Sequence, residues 1–198
     1  MSSVILDYGA GNLRSVQNTL NEIGAAYTLV DDADGLSAAT KIIFPGVGHF
    51  GQMIRALDAM RVRQALLTRI HAGVPFLGIC LGLQALFAAS EEAPDLPGLG
   101  VFPQTVSRFT AGARVPHMGW NEIEQRQPCR LLADLGPRPH LYFAHSYYAP
   151  VVEATAATCT YTVPYTAVLE QDNVYGVQFH PEKSGPLGLR IVRNFVEL

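Results

Sequence analysis

Three side chains in this sequence could work together on one bond: the thiol of Cys80, the imidazole of His180 and the carboxylate of Glu182. A thiol nucleophile needs a base to take its proton and later return it to a leaving group. That base needs a carboxylate to fix its tautomer and steady the imidazolium. Cys80 lies in Gly78-Ile79-Cys80-Leu81-Gly82, the spacing of a nucleophile elbow with sulfur where a hydrolase carries a hydroxyl. The flanking glycines leave room for a sharp strand-to-helix turn, and a thiol at a helix N-terminus meets the positive end of the helix dipole. His180 and Glu182 lie two positions apart in Gly176-Val177-Gln178-Phe179-His180-Pro181-Glu182. If extension persists past Pro181, both side chains project to the same side. The plain alternatives are a buried cysteine packed as a small hydrophobe and a His-x-Glu at a surface strand end. The three groups must converge through the fold.

The elements that would do this are legible as apolar runs. Ser3 to Leu6, Ala25 to Val30, Lys41 to Phe44 and Val74 to Ile79 read as strands. Between them Leu13, Val16, Leu20 and Ile23 recur at helical spacing, Asp31 to Thr40 reads as loop with one helical turn, and Met53 to His71 reads as helical. A further helix is expected from Leu81 to Phe87. This βαβαβα alternation predicts a parallel sheet with right-handed crossovers and catalytic groups at the carboxyl ends of its strands. Cys80 lies at such an end, and so does Pro45-Gly46-Val47-Gly48-His49-Phe50-Gly51, whose backbone N–H groups could cradle a phosphate or an oxyanion. The Gly9-Ala10-Gly11 turn lacks the third glycine of a dinucleotide fingerprint and reads as a tight βα turn or a partner-facing loop. After Ser90 the pattern changes to short β-like segments around Val101, Val106 and Val115, an aromatic strand from Leu141 to Tyr148, and alternating strands at Thr155 to Tyr161, Thr166 to Glu170 and Val174 to Phe179. Leu187 to Phe195 closes the chain as a helix. The sole tryptophan, Trp120, beside Met118 and Gly119, reads either as core or as an interface anchor.

Composition narrows the class. At 198 residues, 48% hydrophobic and 16% charged, the chain reads as a single domain spanning 1–198 with a full core. A net charge of -3 gives no electrostatic reason to expect nucleic acid or an anionic membrane. No apolar run approaches the roughly 20 residues that span a bilayer, and the N-terminus lacks signal-peptide character. Three scattered cysteines, Cys80, Cys129 and Cys159, form no disulfide framework and fit a reducing compartment, so a soluble cytoplasmic protein is expected. No Cys/His cluster has metal-ligand spacing, and neither metal nor cofactor is expected. Roles for Cys129, Cys159 and His117 stay open.

The segments DYGAGNLRSV, FPGVGHFG, GICLGLQALF, VPHMGWN, YFAHSYY and GVQFHPEKSG, spread from Asp7 to Gly185, carry a resemblance over nearly the whole chain. The sequence resembles the class I glutamine amidotransferases, and more narrowly the glutaminase subunits of imidazole glycerol phosphate synthase. The glutaminases of pyridoxal phosphate synthase are similar in size but show a PGGES-like loop where this chain has PGVGHF. The resemblance implies a three-layer α/β fold with a mostly parallel central sheet flanked by helices and an additional antiparallel β section in the second half. It implies that Cys80 attacks the side-chain amide of glutamine to give a γ-glutamyl thioester and ammonia, with His180 as base and acid and Glu182 orienting it. Val47, Gly48 and Leu81 would form the oxyanion hole, and Gln84, Ser146 and Tyr147 would hold the substrate's α-amino and carboxylate groups. Ammonia would pass to a (β/α)8-barrel cyclase subunit in a heterodimer of histidine biosynthesis. That subunit makes imidazole glycerol phosphate and AICAR from N'-phosphoribulosyl-formimino-AICAR-phosphate. Asn12, Met118, Trp120, Tyr142 and Lys183 are the partner-facing candidates. The competing readings are a glutaminase serving another synthase and a catalytically silent regulatory subunit.

Overall fold

The structure, a computed structural model, describes residues 3–110 and 112–198. The first half alternates as β1 (Ser3–Leu6), α1 (Leu13–Glu22), β2 (Tyr27–Val30), α2 (Ala33–Ser37), β3 (Ile42–Gly46), α3 (Phe50–Ala59), α4 (Arg63–His71), β4 (Phe76–Cys80) and α5 (Leu81–Gln84). The second half is β-rich: β5 (Phe87–Ser90), β6 (Phe102–Arg108), β7 (His117–Glu122), β8 (Glu124–Gln125), β9 (His140–His145), β10 (Tyr147–Tyr148), β11 (Thr155–Thr160), β12 (Pro164–Gln171) and β13 (Val174–Val177), closed by α6 (Gly185–Val196). The main sheet runs β2-β1-β3-β4-β13-β12-β11-β8. Pairing is parallel from β2 through β13 and antiparallel from β13 to β8, so the antiparallel section extends the same sheet. Two small sheets, β10-β6-β5 and β7-β9, stand apart from it.

Side-chain alternation divides the core between the two faces of this sheet. Val4, Leu6, Ile42, Phe44 and Phe76 pack with Leu36, Phe50, Met53 and Leu66 on one face. Ile5, Ile43, Leu77 and Ile79 pack with Val16, Leu20, Ile191 and Phe195 on the other. Strands covered on both faces read as continuous apolar runs, which is why they stood out in the sequence. The result is the expected three-layer arrangement with helices on both faces. Among the described residues no helix is long and apolar enough to cross a membrane.

Four local expectations differ from the structure. The stretch Met53 to His71 is two helices, broken where Arg61 takes φ 58° and the chain turns. The helix expected over Leu81 to Phe87 is one turn, after which Phe87 enters β5 against Phe102 of β6. The aromatic strand Leu141 to Tyr148 is broken at Ser146, β9 pairing with β7 and β10 with β6. Val115 lies outside any strand, before a cis peptide bond to Pro116, and β7 begins at His117.

The central position of β4 matters most. Gly46 of β3 lies in register with Cys80 on one side, and Val177 of β13 lies in register with Ile79 on the other. The Val47-Gly48 loop and the Gln178-Phe179-His180 segment therefore leave the sheet beside the elbow. The elbow fits because its glycines let backbone touch backbone. A Cβ on Gly78 would stand 2.5 Å from the Gly82 carbonyl oxygen, and one on Gly82 would fall inside the envelope of the Phe44 carbonyl. We predict that Gly82→Ala destabilises the fold by about 2–3 kcal/mol, because its contact is rigid backbone that must shift. Chemical denaturation measures it; a change below about 0.5 kcal/mol would show that the elbow yields freely.

His117, whose role the sequence left open, is a core residue. It stacks on Tyr161 with centroids 4.0 Å apart and on Phe143 at 5.2 Å, and its Nδ1 lies 3.3 Å from the Tyr165 hydroxyl. Burial lowers its pKa to about 4. The unfolded chain titrates His117 near 6.5 and so binds more protons than the folded chain between those values. Stability contributed by the neutral ring is present above about pH 6.5 and is lost as pH falls toward 4, at about 1.4 kcal/mol per pH unit. His117→Phe is expected to flatten the pH dependence of urea-unfolding stability in that window by about that slope. An unchanged slope would mean that the ring is not held neutral.

Candidate active site

The elbow turns at Cys80 itself, which takes φ 53° and ψ -105°, a conformation that costs a non-glycine residue of order 1–3 kcal/mol. It holds because β4 is buried on both faces and α5 packs directly on the sheet. Cys80 is buried, and with Leu81, Val47, Gly48, Gln84, Ser146, Tyr147 and His180 it lines an open cavity of about 200 Å³. The carboxyl ends of β3, β4 and β13 thus meet at one site, together with the β9–β10 break. Because α5 is a single turn, the dipole argument for the thiol reduces to the first N–H groups past Cys80.

His180 and Glu182 meet by a different route from the one the sequence suggested. The chain does not stay extended past Pro181; residues Pro181–Lys183 form a 3-10 turn that folds Glu182 back beneath the ring. His180 Nδ1 donates to Glu182 Oε1 at 2.8 Å, and Asn12 Nδ2 donates to the same oxygen at 3.1 Å. The turn is tied to β9: the Ser184 hydroxyl donates to the His180 carbonyl at 2.7 Å and accepts from the Tyr142 amide at 3.0 Å. With Nδ1 engaged by Glu182, Nε2 is the ring nitrogen left for Cys80, which lines the same cavity. Burial by itself would lower the His180 pKa. The charge of and hydrogen bond to the Cys80 sulfur, followed by those of Glu182, override it and push the ring up to about 10. Burial likewise works to raise Glu182, but the hydrogen bond and charge of His180 hold that carboxylate below its usual range.

His145, the other histidine on the cavity, is in the opposite state. Burial drives its pKa down to about 3. Its Nδ1 lies 2.8 Å from the Tyr147 carbonyl, which can only accept, so the proton sits on Nδ1. Its Nε2 faces the Tyr165 hydroxyl at 3.3 Å. Both nitrogens are committed, and His145 has none to offer Cys80.

The cavity wall has a fixed polarity. Gln84 Nε2 donates to the Tyr147 carbonyl at 2.7 Å and to Gln178 Oε1 at 3.0 Å, which leaves the Gln84 carbonyl as its free acceptor. Across the cavity, Gly48 takes φ 95°. The Val47 amide approaches the Tyr8 hydroxyl without completing a hydrogen bond. Burial pushes that phenol up to about 12, and the amide offsets part of the shift.

The partner-facing candidates divide. Met118 and Trp120 point outward from β7, 63% and 57% exposed, so the core reading of Trp120 gives way to the surface one. Trp120 meets Tyr142 edge to face, and Lys183 Nζ lies 5.8 Å from the Tyr142 ring centroid. These four therefore share one face, and Met118 also lines the cavity. Asn12 is turned inward onto Glu182 instead. Sequence reasoning passed over Tyr8, Asn12 as a carboxylate partner, and Gln178. The last had one available signal, a lone amide inside the apolar run Val174 to Phe179.

Comparison with known proteins gives the family. A family model described as glutamine amidotransferase class-I matches residues 4–198. The imidazole glycerol phosphate synthase subunit HisH of Desulfitobacterium hafniense strain Y51 is 46% identical over 193 residues, covering 96% of this chain and 92% of that one. The chloroplastic imidazole glycerol phosphate synthase hisHF of Arabidopsis thaliana is 43% identical over 198 residues, which cover 97% of this chain and 33% of that longer protein. A crystal structure of a glutamine amidotransferase superposes with TM-score 0.77 at 21% identity, covering 98% of this chain and 97% of that one. The chain belongs to the class-I glutamine amidotransferase family, and groups within it with the HisH subunits of imidazole glycerol phosphate synthase.

Proposed function

We propose that this chain is the glutaminase subunit of an imidazole glycerol phosphate synthase and that Cys80, His180 and Glu182 carry out the hydrolysis. The observation that carries the reading is convergence: a strained, buried thiol and a carboxylate-paired histidine line one cavity beside the Val47-Gly48 loop. The Cys80 sulfur attacks the side-chain amide carbon of glutamine. Charge develops on the amide oxygen, toward the backbone donors of Val47, Gly48 and Leu81. His180 gives its proton to the departing nitrogen, and ammonia leaves a γ-glutamyl thioester. The neutral ring then takes a proton from water, which attacks the thioester and frees glutamate and the thiol. Glu182 holds the ring's tautomer throughout. The free carbonyl of Gln84 suits the substrate's α-ammonium group, with Ser146 and Tyr147 beside it.

A subunit of a synthase implies a second subunit, and we assign to it the face formed by Met118, Trp120, Tyr142 and Lys183. Met118 belongs to both that face and the cavity, so ammonia released at Cys80 has a short way to a partner docked there. We take that partner to be a (β/α)8-barrel cyclase and read residues 1–198 as one amidotransferase domain.

Cys80→Ala is expected to lower glutamate release from glutamine by at least about a thousandfold while ammonia-driven synthesis by the assembled enzyme continues. Glutamate release that persists in this variant would sink the assignment, as would normal turnover in His180→Asn. The oxyanion loop generates a second expectation. Gly48 takes φ 95° with open space around it, so the Val47-Gly48 peptide is free to reorient for catalysis. One such donor is typically worth about 10²–10³ in rate. Glutaminase turnover should rise by at least about a hundredfold when the synthase partner binds its nucleotide ligand. Equal turnover in the isolated subunit would show the loop to be competent without it.

A further inference from the structure

Gln178 is fully buried one residue past the end of β13, between Cys80 and Gln84. Its Nε2 lies 3.5 Å from Cys80 Sγ, and its Oε1 accepts from Gln84 Nε2 at 3.0 Å. The orientation of both amides is decided by a group that cannot be turned round. The Tyr147 carbonyl, 2.7 Å from Gln84, can only accept, so Gln84 must present nitrogen there. The second N–H of that nitrogen then requires an oxygen from Gln178, and the opposite end of Gln178, its NH₂, must face the sulfur. Reversing either amide would set oxygen against oxygen or nitrogen against nitrogen between buried side chains.

From this we infer that Gln178 is a positioning residue of the glutaminase site, one that donates a hydrogen bond to the Cys80 sulfur and fixes the polarity of Gln84. The first role favours the ionised sulfur, because a donor to a charged acceptor binds it more strongly than the neutral thiol. The second leaves the Gln84 carbonyl, rather than its NH₂, facing the cavity. Nucleophile and substrate contact are thus aligned through one buried amide. A purely structural role, an amide hydrogen-bonded to keep the core satisfied, would affect stability and leave the pH behaviour of Cys80 alone.

This assignment rests on Cys80 being the nucleophile, so its test reads the sulfur without using glutamine. The rate of Cys80 alkylation by iodoacetamide, followed by mass spectrometry of the Cys80 peptide, is measured against pH. In Gln178→Met, which keeps the length and removes the donor, the half-maximal rate should move up by about one pH unit. Glutaminase kcat should fall at least about tenfold in the assembled enzyme, while ammonia-driven synthesis stays at its unsubstituted level and reports intact docking. Gln178→Glu, which keeps an oxygen for Gln84 but loses the donor, should lower kcat with less effect on KM than Gln178→Met. An alkylation profile identical to that of the unsubstituted chain overturns the inference. A measurement on the unsubstituted chain is independent of how the variants fold. The side-chain NH₂ protons of Gln178, followed by ¹⁵N NMR, should shift with pH as Cys80 titrates and cease to do so in Cys80→Ala. A shift insensitive to Cys80→Ala would also overturn it. Failure of the proposed function appears elsewhere, as glutamate release that survives Cys80→Ala.

Discussion

The whole site depends on how close three strands of backbone can come. Cys80 is held at a left-handed φ at the end of a strand, and nothing in its own side chain favours that. The conformation survives because Gly78 and Gly82 let the single turn of α5 rest directly on the sheet, with Phe44 of β3 against Gly82. On the other side, Gly176 of β13 faces Leu83. A side chain at any of these positions would push α5 off the sheet and relax the elbow. The packing that costs the cysteine its comfort also points its sulfur at the cavity. It sets the ends of β3 and β13 on either side, which delivers the Val47-Gly48 loop and His180 to the same space.

Within that space, identical residue types are driven to opposite states by their neighbours. His145 and His180 are both buried, and burial works against charge on each. His180 gains an ionisable sulfur and a carboxylate, and their attraction exceeds the desolvation penalty. His145 gains a carbonyl and a hydroxyl, which suit a neutral ring and offer no charge. One histidine thereby favours its protonated state, and the other, neutral, is a rigid hydrogen-bonding strut for the Tyr147 carbonyl. That carbonyl in turn dictates the direction of the Gln84 and Gln178 amides, so a backbone oxygen on the β9–β10 break determines what Cys80 sees.

The outer face follows a different logic. Along β7 the alternation of a strand sends His117 into an aromatic core and leaves Met118 and Trp120 outside. Large apolar side chains exposed side by side, beside Tyr142 and the adjacent Lys183, form a surface suited to a second protein. The same alternation that stabilises the small β7–β9 sheet therefore also leaves this apolar face exposed.

The sequence by itself determined the parallel half of the fold and which thiol, imidazole and carboxylate were the candidates for one site. Strands buried on both faces must be continuous apolar runs, and a thiol, an imidazole and a carboxylate are needed whatever scaffold carries them. It also located Val47 and Gly48, since a glycine-rich turn after a buried strand is a local signal. Tertiary structure alone decided the rest. The order of strands, and hence the placing of β13 beside β4, depends on contacts between residues far apart in the chain. The 3-10 turn at Pro181 to Lys183, the break at Ser146 and the single turn of α5 each arise from pairing with another element. Asn12 read as partner-facing because its actual partner, Glu182, is a long way off in sequence. Gln178 sat in plain view inside a recognised motif. Its significance came only from the direction of its amide, which the Tyr147 carbonyl fixes through Gln84.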